Sequence, residues 1–215
     1  MEHLAKKYRP RTLDDLLGQP KAVEQARALL ARGIGGLALW IDGPSGVGKS
    51  CLAELLAAHV AETWNTEFLS PSALTPSGVA DLEARCCLSV FGSKGGRALI
   101  VNEAHGLRRD GIRALKDALE RIPKHVTWIF TTTRAESARL FDDDEKEDGQ
   151  PLLDRCVRIR LTGQGLAPVF AARAKEIAAA EDLDGQPLER YVRLAAGCHN
   201  SLRGMLAAIQ VGRMK

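Results

Sequence analysis

The chain has 215 residues, a formal net charge of +3 and a pI near 8.6, with 45% hydrophobic and only 5% aromatic residues. That length suits one domain with an appendage or two small ones, with a core packed mainly by Leu, Ala, Ile and Val. The mildly basic balance is compatible with nucleic acid without requiring it, and no apolar run reaches membrane-spanning length.

The opening MEHLAKKYRPRTLDD lacks the apolar stretch of a secretory signal. Five cysteines (Cys51, Cys86, Cys87, Cys156 and Cys198) show no C-x-x-C spacing, and their odd number argues against a disulfide framework. Reduced thiols in a soluble cytoplasmic protein without a membrane partner are the expectation.

Along the chain, apolar runs of strand length alternate with helical patterns. LALWI (37–41) leads through GPSGVGKS (43–50) into the helical CLAELLAAHVAE. A strand TEFLS (66–70) precedes Thr75-Pro76, an N-cap and first-turn proline for a helix predicted to reach Phe91. RALIV (97–101) follows the turn SKGG and reads as a strand. RDGIRALKDALERI (109–122) places Ile112, Leu115, Ala118, Leu119 and Ile122 at helical spacing. VTWIFTTT (126–133) and CVRIRL (156–161) are two further strands, and the acidic DDDEKEDGQP (142–151) reads as a solvated loop. This alternation predicts an α/β fold, a five-stranded parallel sheet flanked by helices. Beyond Leu161 only helices follow: APVFAARAKEIAAAED, PLERYVRLAAG and SLRGMLAAIQVGRM. The expected division is a nucleotide-binding domain over 1–161 and a small all-helical domain over 162–215.

GPSGVGKS satisfies G-x-x-x-x-G-K-[ST] with Gly43, Gly48, Lys49 and Ser50, between a predicted strand and a predicted helix. Backbone amides from Gly43 through Pro44, Ser45, Gly46, Val47 and Gly48 to Lys49, Ser50 and Cys51 would wrap phosphates at a helix start. Lys49 would reach the β- and γ-phosphates of ATP, and Ser50 would ligate Mg²⁺. The stretch ALIVNEAH (98–105) ends its strand on Asn102-Glu103 at the same sheet edge. Glu103 is the candidate to polarise the attacking water. Asn102 offers Mg²⁺-bound water an acceptor oxygen but no negative charge, so binding is expected to survive and hydrolysis to be slowed.

KYRPRTLDDLLGQ (7–19) resembles the opening of clamp-loader AAA+ subunits, the ATPases that place sliding clamps on DNA for replicative polymerases. The same order continues through GPSGVGKS, NEAH, FTTT, LLDRC and NSLRGML, over nearly the whole chain. The resemblance implies an AAA+ core followed by a helical lid. It implies that Tyr8, Arg9, Pro10, Leu17 and Gly18 border the adenine pocket and that Thr133 is the sensor-1 group near the γ-phosphate. Arg155 would be an arginine finger toward a neighbouring subunit, with Asp154, where the family has Ser, able to hold it in an ion pair. Arg203 would be sensor 2, carried by the lid onto the nucleotide. Two helix starts, Thr75, Ser77 and Gly78 at one and Arg108, Arg109 and Arg113 at the other, would contact the DNA backbone. A helical collar and a four-cysteine zinc module, which members of the family carry, are not expected here.

Three functions stay open at this stage. The first is an ATP-hydrolysing switch acting on DNA in replication, in a homo- or hetero-oligomer of AAA+ subunits with a sliding clamp or other replication protein. The second is a nucleotide-holding assembly subunit that Asn102 makes nearly silent. The third is a remodeller of a protein client.

Overall fold

The computed structural model describes residues 2–88, 90–133 and 146–215, with the side chains of 146–148 excepted. Val, Ile, Leu and Trp dominate β1 (Ala38–Asp42), β3 (Gly96–Val101) and β4 (Val126–Thr132), and these strands are buried almost throughout. Apolar residues on both faces are what a central parallel strand requires, since helices cover each side. The order is β2-β3-β4-β1-β5, all parallel, with β2 (Ala61–Leu69) and β5 (Cys156–Arg160) at the edges.

Alternation splits the sheet between two cores. On one face Leu39, Ile41, Ile100 and Ile129 cluster with Leu52 and Leu56 of α3 (Lys49–Val60). On the other, Trp40, Val101, Trp128 and Phe130 cluster with Leu82 of α4 (Pro76–Cys86) and with Ile112 and Leu115 of α5 (Arg109–Glu120). Trp40 and Trp128 each stack on Phe130, with ring centroids 5.4 and 5.8 Å apart.

After β5 the chain is helical: α7 (Leu166–Ala180), α8 (Leu188–Gly197) and α9 (Leu202–Gln210). Their buried residues, among them Phe170, Tyr191 and Met205, join the core on the α3 face rather than forming a separate one. The N-terminal segment joins them too. The short α1 (Leu4–Lys7) packs against α9, and the Leu4 amide donates to Gln210 Oε1 at 3.1 Å. Lys7 and Tyr8 both donate to Glu181 at 2.5 Å, which holds that carboxyl below the usual carboxylate range. Arg9 then pairs with Glu54 of α3 at 2.5 Å. Residues 4–9 are thus a strap from the helical part to the sheet domain, preceding α2 (Pro20–Arg32).

Three local expectations needed correction. Residues 142–145 of the acidic stretch lie outside the described residues, but 146–154 form a helix, α6 (Lys146–Asp154), where a loop was expected. Leu152 and Leu153, at its end, are buried in the α4–α5 core, and that burial outweighs the loop-like composition. Helix α4 stops at Cys86 rather than Phe91, and Leu88 and Phe91 beyond it face solvent rather than a core that would hold a further turn. Strand β2 begins at Ala61, before TEFLS. Its register shift between Ala61 and Thr66 and its polar residues conceal that start from an apolar pattern.

Two glycines set how α4 and α5 begin. A Cβ on Gly78 would lie 2.2 Å from the Ala73 carbonyl oxygen, and one on Gly111 would lie 2.0 Å from that of Leu74. Gly→Ala in a helix ordinarily stabilises by about 1 kcal/mol. At Gly111 the collision with fixed backbone reverses that sign, so Gly111→Ala should destabilise by about 1–3 kcal/mol, read as a lower midpoint in urea or heat. An unchanged or higher midpoint would show that the two helix starts are not held by this close approach.

Candidate functional site

Strand β1 ends at Asp42, and the chain then turns through Gly43–Gly48 into α3. Gly46 and Gly48 have φ of +81° and +106°, conformations that only glycine adopts without strain. Gly46 also lies under the start of α9: a Cβ there would be 2.5 Å from the Ser201 side chain. Ser201 caps α9 by accepting from the Gly204 amide at 3.3 Å. The amino ends of α3 and α9 therefore meet at the loop, where helix dipoles and free N–H groups favour an anion.

Beside the loop is a cleft of about 620 Å³. Tyr8, Arg9, Pro10 and Leu17 line one side, Ser45–Cys51 the floor, and Glu103 and Arg203 the remaining walls. These are predicted residues from five separate stretches of sequence brought into one space. Gly43, Pro44 and Gly18 support it from outside. Gly43 packs against the Leu161 carbonyl, Gly18 (φ +71°) packs under Leu166, and the Pro44 carbonyl accepts from Lys49 Nζ at 2.6 Å. Lys49 is only 7% exposed. Burial pulls its pKa below the usual lysine value, Glu103 opposes that, and Arg203 adds to it. A buried cation held by a backbone carbonyl, ringed by helix starts and glycines, fits a polyphosphate. Ser50 lines the cleft at the start of α3, and its hydroxyl could hold a divalent cation there.

The ends of β3 and β4 form a polar ladder. Thr131 Oγ1 donates to Asn102 Oδ1 at 2.9 Å, Thr132 Oγ1 lies 3.3 Å from His105 Nδ1, and Thr133 Oγ1 donates to Glu103 Oε2 at 3.3 Å. Thr133 thus meets the glutamate expected to activate water. The Asn102 oxygen is engaged by Thr131, and Asn102 is not among the cleft-lining residues. Among the described residues no group of three or more His, Cys, Asp or Glu could hold a metal by itself.

Arg155 does not pair with Asp154, which is a correction. Its guanidinium bonds Glu120 Oε1 at the end of α5, through Nε at 3.1 Å and through Nη2, and donates to the Pro151 carbonyl at 2.7 Å. Asp154 instead accepts from Gln150 at 2.8 Å. Cys156 aligns with Ala38 across the parallel pair, so Arg155 stands at the amino edge of the sheet, the edge opposite the phosphate loop. The length of β1, about 16 Å at 3.3 Å per residue, separates the two.

The starts of α4 and α5 lie together at the carboxyl edge, as helices between parallel strands must. Ser77, Arg108, Arg109 and Arg113 are exposed there. The Gly78 amide donates to the Thr75 hydroxyl at 3.2 Å as a helix cap, and the Ser77 hydroxyl lies 3.1 Å from the same Thr75 oxygen.

Sequence reasoning missed Asp42, His105, Thr131 and Ser201. His105, Thr131 and Ser201 lie inside the stretches NEAH, FTTT and NSLRGML already singled out, whereas Asp42 carried no such signal. Asp42 is fully buried, accepts from Arg160 Nε at 2.9 Å, and lies 3.9 Å from Arg158 Nη2.

No protein-family model matches the chain. It is 27% identical over 209 residues to the replication factor C small subunit of Haloarcula marismortui, covering 94% of this chain and 61% of that protein. It is 28% identical over 167 residues to that of Natronomonas pharaonis, covering 76% and 48%. The large subunit of Methanosarcina acetivorans is 35% identical over 127 residues, 54% of this chain and 20% of that protein. The chain spans between about half and three fifths of the small-subunit relatives' length. Among solved structures, a RuvB variant from Thermotoga maritima superposes with a TM-score of 0.69 at 21% identity, covering 94% of this chain and 64% of that one. A DNA polymerase III gamma subunit-related protein of the same organism gives 0.54 at 12% identity, covering 87% and 69%. These two establish the fold alone. With the phosphate loop, the sheet order and the helical part in place, the chain is similar to replication factor C subunits in sequence and shares the fold of RuvB.

Proposed function

We propose that this chain binds and hydrolyses ATP as an AAA+ subunit of clamp-loader type, acting on DNA in replication within an oligomer of such subunits. The observation that carries this is the convergence of Ser50, Glu103 and Arg203 with the buried Lys49 on one cleft under the start of α9. In this reading 1–161 is the nucleotide-binding domain and 162–215 its lid. The loop amides and Lys49 hold the β- and γ-phosphates, and Tyr8, Pro10 and Leu17 take the base. Glu103 accepts the proton of the attacking water, and Arg203 balances charge that builds on the phosphate oxygens. Mg²⁺, held by Ser50, would neutralise phosphate charge and orient the chain of phosphates.

Arg155 cannot reach its own cleft from the opposite sheet edge, which supports a role toward a neighbour's nucleotide. The two helix starts at the carboxyl edge offer Ser77 and three exposed arginines to a phosphate backbone. Large apolar side chains exposed on and after β2 and α4 (Trp64, Phe68, Leu88 and Phe91) suit a protein partner such as a clamp. Among the described residues no helix is long and apolar enough to cross a membrane. A second reading, a subunit that holds nucleotide with little turnover, draws support from the Thr131–Asn102 bond, which engages the oxygen that a metal-bound water would use.

ATP turnover with and without primed DNA, alongside oligomer mass, separates these readings. Stimulation by DNA supports the first and tight binding without turnover the second. Lys49→Ala should abolish tight ATP binding, while Glu103→Gln should keep binding and block turnover. Unchanged affinity in the former would remove the phosphate-loop assignment.

Arg155→Ala should be inactive alone but regain turnover when mixed with Glu103→Gln, because mixed interfaces pair an intact Glu103 with an intact Arg155. A wild-type rate for Arg155→Ala would end the finger assignment.

Removing the charges of Arg109 and Arg113 should weaken duplex DNA binding and flatten its salt dependence, by about 0.9 in log–log slope for each phosphate left unneutralised. A slope and affinity left intact would show that the DNA path lies elsewhere.

A further inference from the structure

His105 closes the NEAH stretch and has no part in the reading above. Its Nδ1 lies 3.3 Å from Glu103 Oε2, the same oxygen that accepts from Thr133 Oγ1 at 3.3 Å. A carboxylate oxygen can only accept, so a proton carried on Nδ1 is what would join the ring to it. Thr132 Oγ1 is hydrogen-bonded to the same Nδ1 at 3.3 Å, and a hydroxyl can accept such a proton as well as donate one.

The backbone is shaped to bring these groups together. Glu103 is left-handed, with φ 55° and ψ 48°, a conformation unfavourable for a residue with a side chain. It opens a tight turn over Ala104–Gly106, closed by the Gly106 amide donating to the Glu103 carbonyl at 2.9 Å. The ring of residue 105 thereby returns to the carboxylate of residue 103, while β4 delivers Thr132 and Thr133 from the next strand. Glu103 lines the nucleotide cleft with its side chain 56% exposed, so without such donors its carboxylate would sample many rotamers.

We propose that His105 is a positioning residue for Glu103. With Thr133 it fixes Oε2 and leaves Oε1 as the oxygen that meets a water in the cleft. The inference rests on Glu103 being the base for ATP hydrolysis, and the experiment separates the two claims. Steady-state turnover, nucleotide affinity and melting temperature are measured for His105→Leu, His105→Asn and Glu103→Gln, and for the double variant His105→Leu with Glu103→Gln.

His105→Leu should lower kcat about tenfold with KM, affinity and melting temperature unchanged. His105→Asn, whose amide N–H₂ can stand where Nδ1 stands, should recover most of the loss. In the Glu103→Gln background the Leu substitution should remove nothing further. A His105→Leu protein with normal or raised kcat, or one losing affinity and melting temperature together, overturns the inference, as does an Asn variant no better than Leu. If Glu103→Gln itself turns over normally, the assignment of the base fails. If Glu103→Gln is inactive and His105→Leu is not, only the role of His105 fails.

Discussion

The approach of the phosphate loop to the helical part governs the rest of this molecule. Gly46 comes so near Ser201 that a single methyl group would not fit between them, and its φ of +81° suits only glycine. Because Ser201 caps α9, this approach sets where that helix begins, and so where Arg203 enters the cleft. A second one acts at the junction between the parts: Gly43 packs on the Leu161 carbonyl, and the Leu161 amide donates to Asp42 at 2.8 Å. Gln19 binds both the amide and the carbonyl of Thr162, at 2.9 Å each. The chain leaves the sheet hydrogen-bonded to Asp42 and packed against Gly43, where the phosphate loop begins. The loop and the helical part are therefore joined by one backbone hydrogen bond, Leu161 to Asp42, and by the Ser201 and Gln19 side chains.

Charge is arranged around the same loop. Lys49 is the buried cation, with Glu103 and Arg203 acting on it from the cleft and Asp42 from beneath. A buried carboxylate such as Asp42 is costly unless partnered, and Arg160 partners it from the adjacent position on β5. Its second oxygen and Arg158 Nη2 are both buried without a hydrogen bond, 3.9 Å apart. The pair ties the edge strand to β1 electrostatically at the edge where the loop begins. Edge strands have one hydrogen-bonded neighbour only, so a charged tie at this end has a larger effect than it would in a central strand.

Features carried by local chemistry were legible before the fold was seen. The apolar runs of β1, β3 and β4 follow from two-sided burial, and the phosphate loop from glycines that its backbone requires. What escaped was decided by distant partners. Arg155 sits beside Asp154 in sequence, yet its carboxylate partner is Glu120, 35 residues away, which no spacing rule could select. The helix over 146–154 depends on Leu152 and Leu153 finding a core made by other elements. Likewise the attachment of α1 to α9 joins the two ends of the chain, and nothing in LAKK announces it. His105 was the exception, since its spacing from Glu103 is local and only the left-handed turn was unforeseen.

The Arg155–Glu120 pair bears on how a finger could serve a neighbour. In the isolated chain the guanidinium is already occupied, so engagement across an interface has to break that pair. Both side chains are partly exposed, 32% and 58%, and exposed pairs of this kind contribute only about 0.2–1 kcal/mol. A phosphate group carries more charge than a carboxylate and accepts the same bidentate geometry, in an interface from which water is partly removed. In the proposed reading, exchange of Glu120 for a neighbour's γ-phosphate would then be downhill. Glu120 ends α5, the helix whose other end presents Arg109 at the carboxyl edge. Release of Arg155 at one end and engagement of a nucleic-acid backbone at the other would therefore act on the same rigid element.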